Sequence, residues 1–162
     1  MTIRRITKLA AVAALYVAFT IINPFSYDMV QFRVSEVLVL LCFYRRDYGY
    51  ALIIGCFIAN LFGPMVLVDA FFGSLATAIS VMFIARSKNI VLASLYPVVF
   101  NAVIVGLELH YFLKLPLLES MAWVALGEFV VVTTGGVILF KILEKNDGFL
   151  DFIEANQNLP QD

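Results

Sequence analysis

Residues 28–36 read Asp28-Met29-Val30-Gln31-Phe32-Arg33-Val34-Ser35-Glu36, and they place five polar or charged side chains between two apolar runs. Each ionised group held at membrane depth costs on the order of 3 kcal/mol, so a cluster of this kind requires a specific role. One interpretation is a binding loop. The other is an ordinary extramembrane loop followed by an Arg33/Glu36 pair at a helix start. The residues alone leave both interpretations open.

The composition decides the class of protein. The chain has 162 residues, of which 62% are hydrophobic and 14% are charged, and its mean hydropathy is +0.95. Soluble domains are about half apolar and about a quarter charged. The sequence therefore predicts an all-α membrane protein that crosses the bilayer several times. It contains no metal-ligand spacing, and we expect no metal, no cofactor bound to this chain and no nucleic-acid partner.

Six apolar segments predict six transmembrane helices. Their predicted ranges are residues 6–23, 34–43, 50–62, 69–85, 89–109 and from about 119 to 141–145. The second and third helices are short against a hydrocarbon core of about 30 Å. We expect residues 1–145 to form a six-helix substrate-binding domain and residues 146–162 to form a polar, loosely ordered cytoplasmic tail.

The distribution of positive charge predicts the orientation in the membrane. With six spans and a cytoplasmic N-terminus, nine of the eleven Lys and Arg residues fall in the inner segments, and only Arg33 and Lys114 fall outside. Inner loops of membrane proteins carry such an excess of Lys and Arg. We therefore expect both termini to be cytoplasmic, and nearly all intramembrane polarity then belongs to the outer half of the membrane.

Ionisable and amide side chains inside the membrane predict a binding site. The candidate substrate-binding residues are Gln31, Arg33, Glu36, Asn60, Asp69, Asn101, Glu108 and Glu128. Acids outnumber bases among them, which suits a ligand that is rich in N–H donors or carries a positive charge. Asp69 also fits a helix cap, because a carboxylate at a helix start accepts hydrogen bonds from free backbone N–H groups.

The sequence lacks the motifs of several common mechanisms. A Gly-rich phosphate loop is absent, so the chain is not expected to hydrolyse nucleoside triphosphates itself. A nucleophile elbow and a His-Glu metal motif are also absent, and we do not expect an enzyme. A stand-alone secondary transporter remains an alternative. Such transporters usually combine two repeated halves, so six helices without an evident repeat would have to act as a dimer.

Three segments resemble the queuosine-precursor transporter (QueT) family, the substrate-binding S-components of energy-coupling-factor (ECF) transporters. They are Gln31-Phe32-Arg33-Val34-Ser35-Glu36, Gly55-Cys56-Phe57-Ile58-Ala59-Asn60-Leu61 and Asp69-Ala70-Phe71-Phe72-Gly73-Ser74-Leu75-Ala76-Thr77. The resemblance is clear from the first to the fourth predicted helix, and it extends over the whole length in helix count. The last two helices carry no family motif that we can assign.

The resemblance implies an ECF S-component-like bundle that captures a 7-deazaguanine precursor of queuosine, the prequeuosine base or queuine, at the outer face. The implied partners are a transmembrane coupling protein and two ATP-binding-cassette ATPases, which would use the ATP. Ala10, Ala14 and Ala18, spaced four apart on the first predicted helix, form a stripe that another helix can approach closely. The Ala10/Ala14 pair is similar to the Ala-x-x-x-Ala pattern by which S-components dock on the coupling protein.

Overall fold

The protein is described by a computed structural model over residues 2–27 and 32–159, and the described residues form helices and connecting turns without a β-strand. The α-helices are α1 (Ile3–Ile22), α2 (Leu41–Tyr44), α3 (Tyr48–Asn60), α4 (Leu67–Ile84), α5 (Ile90–Leu113), α6 (Leu117–Glu128), α7 (Val137–Leu143) and α8 (Asp147–Ile153). Two 3₁₀-helices, Pro24–Tyr27 and Val34–Leu40, precede α2, and a π-helical segment, Phe129–Gly136, joins α6 to α7. Gln31 lies outside the described residues.

Four helices are long and apolar enough to cross a membrane. They are Ile3–Ile22, Leu67–Ile84, Ile90–Leu113 and the continuous helix Leu117–Leu143. Two shorter apolar helical segments, Val34–Tyr44 and Tyr48–Asn60, correspond to the second and third predicted helices. The all-α class is thereby confirmed for the described residues, and the four candidate spans agree with the predicted multi-pass character. The count of six spans and the orientation of the termini stay predictions.

Local signals set the helix ends. The Thr2 hydroxyl accepts a hydrogen bond from the Arg5 amide at the start of α1, and the Asn89 side chain accepts from the amides of Val91 and Leu92 at the start of α5. Such caps satisfy backbone donors that have no partner within the helix. At the end of α5, Lys114 takes a left-handed conformation with φ 59°. His110 Nδ1 lies 2.7 Å from the Leu115 carbonyl oxygen and so holds the same turn.

The long helices of the bundle pack closely against one another. Helix α1 packs on α3, α3 on α4, and α4 and α6 on α5. Gly55 of α3 lies so near α1 that a Cβ atom there would be 3.0 Å from the Ala13 carbonyl oxygen and 3.1 Å from Tyr16 Cβ. Those distances are tighter than ordinary packing allows. The missing side chain at Gly55 therefore lets α1 and α3 pack backbone to backbone.

The described part of the tail, residues 146–159, forms α8 and contacts the bundle, which corrects there our expectation of a loosely ordered tail over residues 146–162. Helix α8 buries Ile153, and the amides of Asn156 and Gln157 both donate to the Tyr44 carbonyl oxygen, at 3.0 and 3.1 Å. The Asn158 side chain donates to the carbonyl oxygens of Phe43 and Ser87. The tail therefore binds backbone acceptors left free at the ends of α2 and α4. Composition alone predicts neither contact.

An ion-pair network joins the same end of the bundle. Arg5 and Arg45 both donate to the Asp47 carboxylate, and Lys8 Nζ lies 2.8 Å from Glu154 of the tail. Partial burial on its own would raise the pKa of Asp47, but the hydrogen bonds from Arg5 and Arg45 outweigh it and hold that pKa below its ordinary value. Asp47 therefore stabilises the fold through its charged form.

Asp47→Asn should lower the stability of the detergent-purified protein by about 1–2 kcal/mol at pH 7, since charged hydrogen bonds are lost. A carboxylate with a depressed folded-state pKa contributes stability above its unfolded pKa of about 3.9, and this contribution disappears as the pH falls through the folded pKa. Thermal unfolding of the native protein and of Asp47→Asn, measured from pH 7 down to pH values below the folded pKa, gives the difference in stability between them. This difference should vanish at low pH. Asp151→Asn, the same change in exposed α8, is the control. Equal stability of Asp47→Asn and the native protein at pH 7 would contradict this account.

Candidate binding site

Arg33 lies at the centre of a buried polar cluster. Its side chain is 6% exposed, and its Nε donates to the Ser26 carbonyl oxygen at 3.0 Å. The guanidinium lies within Coulombic range of three buried glutamates: Glu36, Glu108 and Glu128. The direct ion pairs of the described residues all lie elsewhere. Arg33 therefore acts on several acids together and does not form a close pair with Glu36 alone.

Glu36 is held by the first helix. It occupies the first turn of the 3₁₀-helix Val34–Leu40 and is 1% exposed. The Tyr16 hydroxyl donates to Glu36 Oε1, whereas Oε2 has no hydrogen-bond partner among the described residues. One turn further along α1, the hydroxyls of Thr20 and Ser35 are 2.7 Å apart. Helix α1 thus fixes the backbone and one oxygen of Glu36 and leaves the other oxygen available.

Glu128 lies at the end of α6, where the helix becomes π-helical. Asn101 Nδ2 of α5 donates to Glu128 Oε1 at 2.7 Å, and Oε2 is buried without a partner among the described residues. Glu128 also lies within Coulombic range of Glu36. Single π-turns in long helices often occur at functional sites, because the extra residue per turn changes where side chains point. Glu36 and Glu128 therefore belong to one cluster, and we call them the first acid pair.

Asp69 and Glu108 form the second pair of acids. Their carboxyl groups are close enough to interact directly, and Arg33 is within range of Glu108. Asp69 Oδ2 accepts a hydrogen bond from the Met65 amide at 2.9 Å and so holds the turn before α4, but it does not cap the helix as predicted, because α4 begins at Leu67 and no side chain bonds its first free amides. Glu108 Oε1 is buried and unpartnered among the described residues. The two acids join the beginning of α4 to the end of α5.

Asn60 connects α3 to this cluster. Its Nδ2 donates to Cys56 Sγ at 3.2 Å, and its Oδ1 is buried without a partner among the described residues. Gly73 of α4 lies directly against it, since a Cβ atom there would collide with the Asn60 amide and would be 3.7 Å from Arg33 Nη1. A side chain at position 73 would therefore push Asn60 out of place.

The structure brings most of the predicted site residues into one cluster, which we call the acid cluster. Its members are Arg33, Glu36, Asn60, Asp69, Asn101, Glu108 and Glu128. The acid cluster holds four carboxyl groups and one guanidinium, and three of those carboxyl groups have an oxygen without a partner among the described residues. Such an arrangement can accept several hydrogen bonds from a donor-rich or cationic ligand.

Sequence analysis missed Tyr16 and Thr20. Both are buried on α1, four residues apart, and both hold the 3₁₀-helix that carries Glu36. Two hydroxyl side chains at helical spacing in an apolar helix form a weak signal, because either can bond to its own backbone.

The alanine stripe of α1 lies outside the acid cluster. Ala10 and Ala14 are exposed, and with Ala18 they line an apolar groove of about 780 Å³ between α1 and α3.

The fold and the acid cluster define a multi-pass helical membrane protein that encloses a buried polar cluster within its bundle. Comparison with known families agrees: residues 6–145 match the family described as QueT transporter. The chain belongs to the QueT transporter family.

One relative matches almost over its full length. The chain is 32% identical over 159 residues to the queuosine precursor transporter QueT of Lactococcus lactis subsp. cremoris strain MG1363. The aligned region covers 88% of this chain and 94% of the relative. No solved structure matches the fold of this chain.

Asn101→Leu should destabilise the protein by about 1–3 kcal/mol, because both oxygens of the buried Glu128 carboxylate then lack a donor. Adding Glu128→Leu to that variant should recover part of the loss, since an apolar pair of similar volume avoids the buried charge. Thermal unfolding of the two single variants and the double variant in detergent forms a double-mutant cycle. Strictly additive effects would mean that Asn101 does not hold Glu128.

Proposed function

We propose that this protein is the substrate-binding S-component of an ECF-type importer, and that the acid cluster binds a 7-deazaguanine precursor of queuosine. The observation that carries the proposal is the set of buried carboxylate oxygens on Glu36, Glu108 and Glu128 that have no hydrogen-bond partner within residues 2–27 and 32–159. Membership of the QueT transporter family and the name of the Lactococcus lactis relative support the same substrate class.

The arrangement of the acids suggests how the ligand is held. A 7-deazaguanine presents adjacent N–H donors on its Watson–Crick edge, which one carboxylate can accept in bidentate fashion. The aminomethyl form adds an ammonium group, for which a second carboxylate provides the counter-charge. The acid cluster contains two acid pairs, Glu36 with Glu128 and Asp69 with Glu108. In our proposal, one pair binds the ring edge and the other faces the 7-substituent.

The remaining site residues orient the acids and the ligand. Asn101 holds Glu128 through its amide, and Asn60 offers the ligand its Oδ1, which has no partner in the described part of the chain. Arg33 offsets part of the negative charge of the acids. It does not bind the donor-rich edge of the ligand, because a guanidinium has only donors. Gln31 belongs to the same proposed site on the basis of its position in the sequence.

The membrane arrangement follows the positive-inside rule. We propose six crossings of the cell membrane with both termini in the cytoplasm, so that α2 and α3 are short spans shielded by their neighbours. The acid cluster lies at the bundle end where α3 ends and α4 begins, which this orientation places toward the outer leaflet. The ion-pair network of Arg5 and Asp47 is then cytoplasmic.

Energy for uptake would come from partners. We propose that a transmembrane coupling protein binds the groove between α1 and α3, and that two ATP-binding-cassette ATPases drive it with ATP. The exposure of Ala10 and Ala14 in an apolar groove supports this assignment, because small side chains allow a partner helix to approach closely.

Glu108→Gln should weaken binding of the base by about tenfold to a hundredfold, because a buried charged hydrogen bond is worth roughly 1.5–3 kcal/mol. Isothermal titration of the purified protein with the aminomethyl base, the nitrile, queuine and guanine measures this effect. If Glu108 faces the ammonium, the aminomethyl base should lose more affinity than the nitrile, and if it faces the ring edge, both should lose equally.

Glu36→Gln and Asp69→Asn complete that series, and Glu119→Gln, an equal change at an exposed position of α6, is the control. Unchanged affinity for every base in all three cluster variants would show that the ligand binds elsewhere. Failure of the native protein to bind any of the bases better than millimolar would refute the substrate class.

Ala10→Trp or Ala14→Trp should abolish uptake by cells that contain the coupling module while leaving the affinity of the purified protein unchanged. The added volume would fill the groove between α1 and α3, whose lining contains no member of the acid cluster. Uptake of labelled base and titration of the same variants measure the two effects. Equal loss of both would mean that these alanines support the bundle itself. Robust uptake by the protein alone, abolished by a protonophore, would favour a secondary transporter.

A further inference from the structure

A second groove lies between α3 and α4, at the end of the bundle where α3 begins and α4 ends. It has a volume of about 590 Å³, and its walls are mainly apolar. The wall residues are Tyr50, Ile53, Ala78, Val81 and Met82. Arg46 and Arg86 line the same groove. The acid cluster lies at the other end of α3 and α4, so this groove is separate from it.

The two arginines are neighbours at the mouth of the groove. Arg46 Nε donates to the Ala85 carbonyl oxygen at 3.1 Å and to Gln157 Oε1 at 3.0 Å. Arg86, the residue after Ala85, donates through Nη1 to the Met82 carbonyl oxygen at 2.8 Å. Both side chains are exposed. These bonds use one nitrogen of each guanidinium and leave the remaining donors directed to the surroundings.

The positive charge at this mouth is not neutralised by the described part of the chain. Asp47 is the one carboxylate that lines the groove, and its oxygens already accept from Arg5 and Arg45. Within residues 2–27 and 32–159, no carboxylate lies within 4.0 Å of Arg46 or Arg86. Two exposed guanidiniums that line one groove and have no counter-charge in the described part of the chain favour an anion, and their planar donors match the oxygens of a phosphate.

The position of the groove identifies the kind of anion. Helix α4 is a candidate membrane span that ends at Ile84, two residues before Arg86, so the arginines lie at the level of the membrane surface. Tyr50 is 69% exposed beside them, and tyrosines are enriched at that level. Met82 is 49% exposed on the apolar wall below. Basic pockets between transmembrane helices with such walls suit the headgroups of anionic lipids.

We infer that this groove binds one anionic phospholipid, with its phosphate between Arg46 and Arg86 and one acyl chain along Ile53, Ala78 and Met82. The lipid would hold the start of α3 and the end of α4 together, where Arg46 already bridges them through Ala85. This site does not depend on the acid cluster or on the identity of its ligand.

The test is native mass spectrometry and thermal unfolding of the whole protein in a neutral detergent. Added phosphatidylglycerol should give one retained lipid per protein and a higher unfolding temperature. Phosphatidylcholine with the same acyl chains should do neither, because it brings no net negative charge. Inorganic phosphate and soluble glycerophosphoglycerol should also fail, since they lack the acyl chain. Equal effects of either lipid, or of the soluble phosphates, would overturn the proposal.

Variants locate the site. Arg86→Gln should weaken retention of phosphatidylglycerol by about tenfold, and its only side-chain bond among the described residues is to its own helix, so folding should be intact. Lys145→Gln, the same charge change after α7, should leave retention unchanged. Ala78→Phe should also weaken retention by filling the groove without changing charge. Retention equal to that of the native protein in both Arg86→Gln and Ala78→Phe would overturn the assignment.

Discussion

The burial of four carboxyl groups in one cluster with a single guanidinium, that of Arg33, is the constraint on which the rest of the structure depends. Charges removed from water cost several kcal/mol each unless they are paired and hydrogen-bonded. The bundle supplies partial compensation: Tyr16 donates to Glu36, Asn101 to Glu128 and the Met65 amide to Asp69. One oxygen of each of the three glutamates is left without a donor among the described residues. A donor-rich ligand would supply the hydrogen-bond donors that these oxygens lack. Because the site is already held in place, it loses little conformational entropy on binding.

Two irregular helical segments carry or adjoin residues of the acid cluster. Glu36 belongs to a 3₁₀-helix, and Glu128 immediately precedes the π-helical segment Phe129–Gly136. Both forms keep backbone hydrogen bonds within the segment, as a membrane requires, while they change the direction of the side chains. The other end of the bundle is built differently. There Arg5, Asp47 and the tail form ion pairs and backbone hydrogen bonds that hold the helix ends together.

Much of the helical architecture could be predicted from the sequence because the signals are local. Apolar runs and the Asn23-Pro24 stop predict a first helix over residues 6–23, and the structure has Ile3–Ile22. The residues of the acid cluster could also be predicted, since charged side chains stand out in apolar helices. Their pairing could not. That Asn101 holds Glu128 rather than facing outward depends on how α5 packs against α6, a contact between residues far apart in the chain.

The ordered tail and the π-helical segment show the same limit. A polar composition favours a loose tail, but residues 156–158 find carbonyl oxygens at the ends of α2 and α4 that only the folded bundle presents. The Gly135-Gly136 pair weakens a regular helix without specifying a π-turn. Tyr16 carries no sequence signal beyond its place in an apolar helix, and yet it holds the most buried acid of the cluster.

The most direct measurement is an experimental structure of the protein with the aminomethyl 7-deazaguanine bound. The account predicts that the base lies in the acid cluster, with its ring N–H groups and its ammonium each about 3 Å from a carboxylate oxygen, those of Glu36, Glu108 and Glu128 first among them. A base bound elsewhere in the bundle, with those oxygens still unpartnered, would contradict the claim that the buried acids exist to bind it.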